Sequence, residues 1–330
     1  MGDPSRVGEA RRHAAEMSAR LGFDETLRGR LAVAVNELGN NLLRHARGGR
    51  LLLAAREVDG SLAIELMSMD DGPGMANLQA CMQDGYSTGG SAGQGLGAVS
   101  RMADDFDVHT QPGVGSLILA RFYREREPGG LPRRPRGRFA VGAICVPAPG
   151  EQVSGDGWDV AVQEGRVDAV VADGLGHGPE AADAAVAALA VFDPERGASP
   201  AAFVDQAHVA LRGKRGAAIG AYRMDADSQR IRFAGAGNIM GRVISGIGDR
   251  TLVTQNGTAG LQMRSVQEQE VDWPDHALVV LHSDGVQSRW QLDDVTVLQR
   301  DPAIVAAFVL WKFSRGRDDA TVVVIRRAEN

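Results

Sequence analysis

Four aspartates in the second half of the sequence sit where an apolar run ends or a turn begins. They are Asp156 in Ser154-Gly155-Asp156-Gly157, Asp173 in Asp173-Gly174-Leu175-Gly176-His177-Gly178, Asp284 in Ser283-Asp284-Gly285, and Asp318 in Asp318-Asp319-Ala320-Thr321. Carboxylate oxygens suit hard cations such as Mg²⁺ and Mn²⁺, and converging like charges need a cation between them. Any one Asp-Gly pair reads as a turn. VVADG and VVLHSDG say more, because each delivers an Asp as an apolar strand ends, where side chains of neighbouring strands can meet. The first half offers different chemistry. Glu37 and Asn41 are four residues apart and share one helix face, beside its apolar stripe. Asp70-Asp71-Gly72-Pro73-Gly74 follows an apolar strand; an Asp there can accept a hydrogen bond from an exocyclic amine while the glycines admit a flat base. Gly93-Gln94-Gly95-Leu96-Gly97 opens a helix, and bare amides at a helix N-terminus cradle phosphate. Read singly, the first pair is a solvated helix edge and the Asp-Gly stretch a turn.

Two other motifs fail on context. Gly89-Gly90-Ser91-Ala92-Gly93 fits the Gly-x-Ser-x-Gly nucleophile pattern, but no buried strand feeds it. The glycine run does not follow the first strand of a βαβ unit, so it is no dinucleotide fingerprint, and the Gly-Lys-Ser/Thr of a P-loop is missing.

The elements that must position these residues follow from periodicity. Asp24 is placed to cap a helix running to about Ala46, with Leu27, Leu31, Val35, Leu38 and Leu42 as its buried stripe. Strands over Arg50 to Glu57 and Ser61 to Met69 join at an Asp59-Gly60 turn, and a short helix spans Gly97 to Ala103. FDVHTQ and SLILARFY then close the half around Pro112-Gly113. This is a helix-over-sheet layout for residues 1–123. Residues 124–138, REREPGGLPRRPRGR, are rich in Pro, Gly and Arg and read as a solvated linker. Residues 139–330 hold strands RFAVGAICV, WDVAVQ, RVDAVVAD, AAIGAYRM, QRIRFAGAG, ALVVLHSD and ATVVVIRR. Helices near Pro179 to Val191, Pro200 to Leu211 and Ala303 to Phe313 are placed to cover two packed sheets. The expected class is a two-domain α/β (α+β) chain.

Composition bounds the function. The 330 residues suit two domains. With 36 Lys plus Arg against 42 Asp plus Glu, the net charge of −6 argues against a dedicated nucleic-acid binder. Two cysteines, Cys81 and Cys145, make no disulfide framework. No apolar run reaches the ~20 residues of a membrane span and no signal core opens the chain, so a cytoplasmic protein without membrane contact is expected.

Taken in order, Asn-Glu-Leu-Gly-Asn-Asn…His-Ala, Asp-x-Gly-x-Gly and Gly-x-Gly-Leu-Gly resemble the Bergerat-type ATP-binding fold of histidine kinases and anti-sigma-factor kinases. The stretch from Tyr86 to Phe122 is similar to RsbT-type serine kinases. That resemblance implies ATP and Mg²⁺ as cofactors. Asn41 would hold the Mg²⁺, Glu37 would be the base for an attacking hydroxyl, and Asp70 would read the adenine amine. Gly72, Gly74, Gly93, Gly95 and Gly97 would shape the pocket and its lid. Asp71 stands where Asn is frequent in the family.

The second half resembles the RsbX/SpoIIE-type serine phosphatases of the metal-dependent 2C class. Besides the four aspartates, Ala234-Gly235-Ala236-Gly237-Asn238 and the run Leu278 to Val286 carry the likeness. It implies an αββα sandwich holding two Mn²⁺ or Mg²⁺ ions on Asp156, Asp173, Asp284, Asp318 and the Gly174 carbonyl. His177 would protonate the leaving serine oxygen or brace its loop, Asp319 would be an outer-sphere ligand or a solvated neighbour, and Cys145 a core residue. Pro274-Asp275-His276 and Gln287-Ser288 depart from the family's usual Gly-Asp and Thr-Glu, which touches substrate choice rather than metal ligation. Together the resemblances imply a kinase and a phosphatase acting on a STAS-domain anti-sigma-factor antagonist. A second reading makes the first half an ATP-sensing or docking module that regulates the phosphatase. Both families are often homodimeric, though no seam for a homodimer is visible in the sequence.

Overall fold

The computed structural model describes residues 3–58, 60–83, 95–135, 137–193, 197–246 and 248–328. The chain divides into two compact units, Met1–Arg136 and Gly137–Asn330.

Unit 1 opens with a helix absent from the sequence-based expectation, α1 (Pro4–Arg20). Its signals are local: the Asp3 carboxylate accepts from the Ser5 amide at 2.7 Å, and Pro4 presets the first turn. Its buried stripe is only Val7, Ala14 and Ser18, too thin to register as periodicity. The helix α2 (Glu25–His45) begins as expected, with Asp24 accepting from the Leu27 amide at 2.8 Å. Leu27, Leu31, Val35, Leu38 and Leu42 are all buried along it. After it come β1 (Arg50–Val58), β2 (Ser61–Asp70), α3 (Leu78–Cys81), α4 (Gly95–Met102), β3 (Asp105–Gln111) and β4 (Gly115–Tyr123). Asp59, half of the expected first hairpin turn, lies outside the described residues. The four strands form an antiparallel sheet in the order β1-β2-β4-β3. Alternate residues of β2, Leu62, Ile64 and Leu66, meet Ile118, Ala120 and Phe122 of β4 and the stripe of α2 in one core.

Much of the expected linker folds onto this unit. Arg126 bridges to Pro132, and both its guanidinium nitrogens reach Asp104 at 3.0 Å, where Arg30 of α2 also donates at 2.9 Å. Arg134 donates to Asp105 at 2.6 Å. The arginines that looked solvated in sequence thus answer acids just before and at the start of β3. Burial raises the Asp104 carboxyl, but Arg126, the Tyr123 amide and Arg30 outweigh it and hold it below the usual carboxylate range. A depressed folded pKa contributes stability that is complete above the unfolded value of about 3.9 and is lost as pH falls through the folded one. Asp104→Asn is therefore expected to cost about 2 kcal/mol at pH 7, with the gap to wild type closing in melts run progressively below pH 4.

Unit 2 is a pair of antiparallel sheets faced by helices. The strands are β5 (Phe139–Val146), β6 (Asp156–Gln163), β7 (Arg166–Gly174), β8 (Ala217–Asp225), β9 (Arg230–Ala236), β10 (Met240–Ser245), β11 (Gly248–Val253), β12 (Gly257–Thr258), β13 (Gln262–Met263), β14 (Gln269–Asp272), β15 (Leu278–His282) and β16 (Ala320–Arg327). The helices are α5 (Pro179–Leu189), α6 (Pro200–Ala210) and α7 (Pro302–Phe313). One sheet runs β14-β9-β8-β7-β6 and the other β11-β10-β15-β16-β5. Their facing residues, among them Val167, Val171, Tyr222, Phe233, Val279, Leu281 and Val323, form the central core. A second core packs Ala184, Ala185, Ala188, Phe203 and Val204 of α5 and α6 on the outer face of β7, β8 and β9. The helix α7 lies on β5 and β16 of the other sheet. This is the expected αββα sandwich; the expected strands are present, and β10, β11, β14 and the short pair β12-β13 are additions to them.

Candidate functional site

In unit 2 the strand β6 turns into β7 through Glu164-Gly165, and the register that this turn sets places Asp156 directly opposite Asp173. The two carboxylates therefore leave neighbouring strands at one sheet end. The opposite sheet brings Asp284 just after β15 and Asp318-Asp319 just before β16, strands that pair antiparallel. Ser283 ties the two sheets at this end: its hydroxyl donates to Asp156 Oδ2 at 2.6 Å and accepts from the Thr321 amide at 2.9 Å. Asn238, just beyond β9, donates to Asp284 Oδ2 at 2.6 Å. Gly174, whose carbonyl was expected to face a metal, is fixed by its amide's 3.0 Å bond to the Gly155 carbonyl.

The electrostatics are those of acids crowded together. Burial, then the charges of Asp156, Asp284, Asp318 and Asp319, push Asp173 up to about 9. Burial also raises Asp156 to about 7; Asp319 and Asp284 add to the rise, and the Ser283 and Thr321 hydroxyls oppose it. Asp284 is raised by burial and Asp318, with Arg315 and Arg317 counteracting. Asp156 Oδ1 and Asp319 Oδ2 are buried without a hydrogen-bond partner. Among the described residues no three His, Cys, Asp or Glu groups already stand at ligating separation around one point. The carboxylates sense one another through the field, and drawing them together requires positive charge. Orphaned acid oxygens and mutually raised carboxyls are what a divalent cation would satisfy, so the residues present fit the metal chemistry expected of them.

Three further placements sharpen the sequence reading. Asp319 is neither solvated nor peripheral: it is 3% exposed, and its Oδ1 accepts from the Ala148 amide at 2.8 Å. Cys145 is half-buried beside the site rather than in the core proper, its Sγ 3.3 Å from the Ser154 hydroxyl and 3.7 Å from the Asp156 carbonyl. His177 is exposed, with Nδ1 held by Glu151 at 2.6 Å.

In unit 1, Glu37 and Asn41 are half-buried on one face of α2. Asp70 closes β2, and its Oδ1 accepts from the Gly72 amide at 2.7 Å. Burial raises its carboxyl, while that amide and His45 act the other way. Gly74 has φ +64°, and a Cβ there would strike the Gln111 carbonyl. Gly97, inside α4, lets the helix approach the Met82 carbonyl so closely that any side chain would collide. Gly95 begins α4, and among the described residues nothing lies within 4 Å of where its Cβ would stand. Gly93 lies outside the described residues.

Comparison with known proteins fits this division. Residues 2–121 match the family model of the histidine kinase-like ATPase domain, and residues 163–328 match that of stage II sporulation protein E (SpoIIE). The serine/threonine-protein kinase RsbT of Bacillus subtilis (strain 168) is 31% identical over 111 residues, 34% of this chain and 84% of that protein. A solved chain from work on "the bacterial stressosome: a modular system that has been adapted to control secondary messenger signaling" is 28% identical. It covers 57% of this chain and 99% of its own length at a TM-score of 0.53. A crystal structure of RsbX in complex with magnesium shares the fold at 16% identity and TM-score 0.51, covering 58% of this chain and 96% of its own. Among the described residues no helix is long and apolar enough to cross a membrane. The chain belongs to the SpoIIE phosphatase family through its second unit and to the RsbT-like histidine kinase-like ATPase family through its first.

Proposed function

We propose that the protein is a cytoplasmic regulator that sets the phosphorylation of a serine or threonine on a STAS-domain anti-sigma-factor antagonist, unit 1 adding the phosphate from ATP and unit 2 removing it. The observation that carries the reading is the pairing on one chain of two constellations with opposite chemistry. In unit 2 these are the opposed aspartates Asp156 and Asp173 with Asp284 and Asp318-Asp319 at the same end. In unit 1 they are the Glu37-Asn41 face and the Asp70-Gly72 turn.

In unit 2, Asp156, Asp173, Asp284 and Asp318, with the Gly174 carbonyl, would hold two Mg²⁺ or Mn²⁺ ions. Such ions supply Lewis-acid activation of water and charge neutralisation on the phosphoryl group. The chain's own residues do the positioning. Ser283 orients Asp156, Asn238 orients Asp284, and Asp319 adds buried negative charge anchored by the Ala148 amide. His177, held at Nδ1 by Glu151, keeps Nε2 for the leaving serine oxygen. In unit 1, Asp70 would accept from the adenine amine, Asn41 would hold Mg²⁺ on the phosphates, and Glu37 would take the proton of the attacking hydroxyl. Gly72, Gly74, Gly93, Gly95 and Gly97 would form the pocket and lid.

The test follows the intact mass of a candidate STAS partner incubated with the full chain, ATP, Mg²⁺ and Mn²⁺. With Asp173→Asn the partner is expected to gain one phosphate, and with Asp173→Asn plus Glu37→Ala the gain should fall by about 10²-fold or more in rate. If no phosphate is ever added, yet wild type strips it from a pre-phosphorylated partner, unit 1 is an ATP-sensing or docking module for the phosphatase. If neither reaction occurs, the reading is wrong.

A further inference from the structure

The loops that deliver Asp284 and Asp318 also build a cationic pocket that the metal chemistry does not use. After Asp284 the chain runs Gly285-Val286-Gln287-Ser288-Arg289, and before Asp318 it runs Phe313-Ser314-Arg315-Gly316-Arg317. The two pair as a short antiparallel ladder. The Arg315 amide donates to the Gly285 carbonyl at 2.8 Å, the Gln287 amide donates to the Phe313 carbonyl at 2.9 Å, and Val286 bridges Ser314. The far end of the first loop is pinned by Trp290. Its indole is buried, stacks on Phe313 at 5.6 Å, lies under the Arg242 guanidinium and donates to His282 Nε2 at 3.2 Å. Arg289 therefore projects from a backbone held on both sides.

Two cavities meet along this ladder. One of about 360 Å³ reaches the acid cluster and is lined in part by Asn238, Asp284, Ser288 and Arg315. The other, of about 440 Å³, is lined by Gln287, Ser288, Arg289, Arg315 and Arg317. They share Ser288 and Arg315, so an extended ligand can run from one into the other. The second cavity contains three guanidinium groups, two neutral polar side chains and no carboxylate. Its arginines are exposed, and their side chains enter no ion pair among the described residues. None of the expected metal ligands lines it, so an anion held there is not the phosphoryl group being hydrolysed.

The geometry points to this pocket as a specificity subsite for acidic side chains that flank the phosphorylated residue of a protein substrate. The inference rests on the phosphatase reading and extends it to substrate choice. Guanidinium forks suit carboxylate oxygens, and a pocket with one sign of charge raises the local concentration of an anionic segment. The same arginines offset the acidity of the metal end, where a negatively charged polypeptide would otherwise be repelled.

The experiment compares three substrates on the full chain with Mg²⁺ or Mn²⁺: p-nitrophenyl phosphate, a phosphoserine peptide flanked by Asp and Glu, and the same peptide flanked by Asn and Gln. Wild type is expected to favour the acidic peptide in kcat/KM by about tenfold at low salt, mostly through KM, with the preference shrinking as salt is added. In Arg289→Ala the acidic-to-neutral ratio should drop by about threefold to fivefold, and in Arg289→Glu it should fall to unity or below. Dividing each peptide value by that for p-nitrophenyl phosphate removes any general change in the acid cluster. Equal use of both peptides by wild type, or an unchanged ratio in Arg289→Glu, overturns the subsite. Failure of wild type to hydrolyse all three overturns the phosphatase reading itself, and the subsite with it.

Discussion

Asp173→Asn is expected to lower divalent-cation-dependent hydrolysis by about 10³-fold or more, on p-nitrophenyl phosphate and phosphoprotein alike, because on the proposed reading Asp173 is a metal ligand, and losing one forfeits several kcal/mol of transition-state charge stabilisation. The same substitution should not destabilise the fold. Asp173 is held among Asp156, Asp284, Asp318 and Asp319, whose charges oppose its own, and an amide of equal size relieves that repulsion. In excess chelator the variant should therefore melt at or above the wild-type temperature. With saturating Mn²⁺ or Mg²⁺ the order should reverse, since a ligand that binds only the native state stabilises it by mass action and the variant has lost part of that binding. Activity and metal-induced stabilisation must fall together. Full hydrolysis by Asp173→Asn, or equal stabilisation of both proteins by metal, would refute the assignment of this aspartate.

Part of this site was legible before any coordinates because its signals are local. An Asp ending an apolar run is visible in VVADG and VVLHSDG, whereas the register of β6 on β7 went unread although the two-residue Glu164-Gly165 turn carries it. If Gln163 pairs with Arg166, counting outward along both strands brings Asp156 opposite Asp173, the register observed. The α2 stripe and its Asp24 cap were equally plain. What stayed hidden depends on partners remote in sequence. Nothing around Asp319 announces that its carboxylate turns inward to the Ala148 amide, 171 residues away. Nothing in REREPGGLPRRPRGR shows that Arg126 finds Asp104 and Arg134 finds Asp105, and a Pro/Gly/Arg composition with no periodicity reads as solvent-exposed until those acids are placed. The helix α1 was missed for the opposite reason. Its cap was readable, but a thin stripe of Val7, Ala14 and Ser18 gives a weak apolar period.

The strand that ends in Asp70 carries the charge network with the largest expected effect on stability. Glu65 of β2 is 6% exposed, and its Oε1 accepts from Arg56 Nη1 at 2.9 Å and from Arg121 Nε at 2.7 Å. Arg121 is its direct partner across β4 and extends the chain of charges to Asp105 of β3 at 3.3 Å. One carboxylate thus neutralises guanidinium groups from both flanking strands and sits on the strand that ends in Asp70, the residue proposed to read adenine. Removing it leaves buried cations with too little counter-charge, a loss of about 3–5 kcal/mol, so Glu65→Ala should lower the melting temperature of unit 1 by roughly 10–20 °C. Glu65→Gln keeps the volume and one acceptor oxygen yet loses the charge, and should recover only a minor part. The pair is not itself a large source of stability, because desolvation offsets most of the attraction. Replacing Arg56, Glu65 and Arg121 together by Met, Leu and Met is accordingly expected to restore most of the loss. Thermal melts of the full chain read the stability, and nucleotide affinity reads whether β2 still holds Asp70 in place. Glu65→Ala should weaken ATP binding, and the triple variant should regain it in step with its melting temperature. A triple variant as unstable as Glu65→Ala would show that the network's shape, rather than its uncompensated charge, sets the cost.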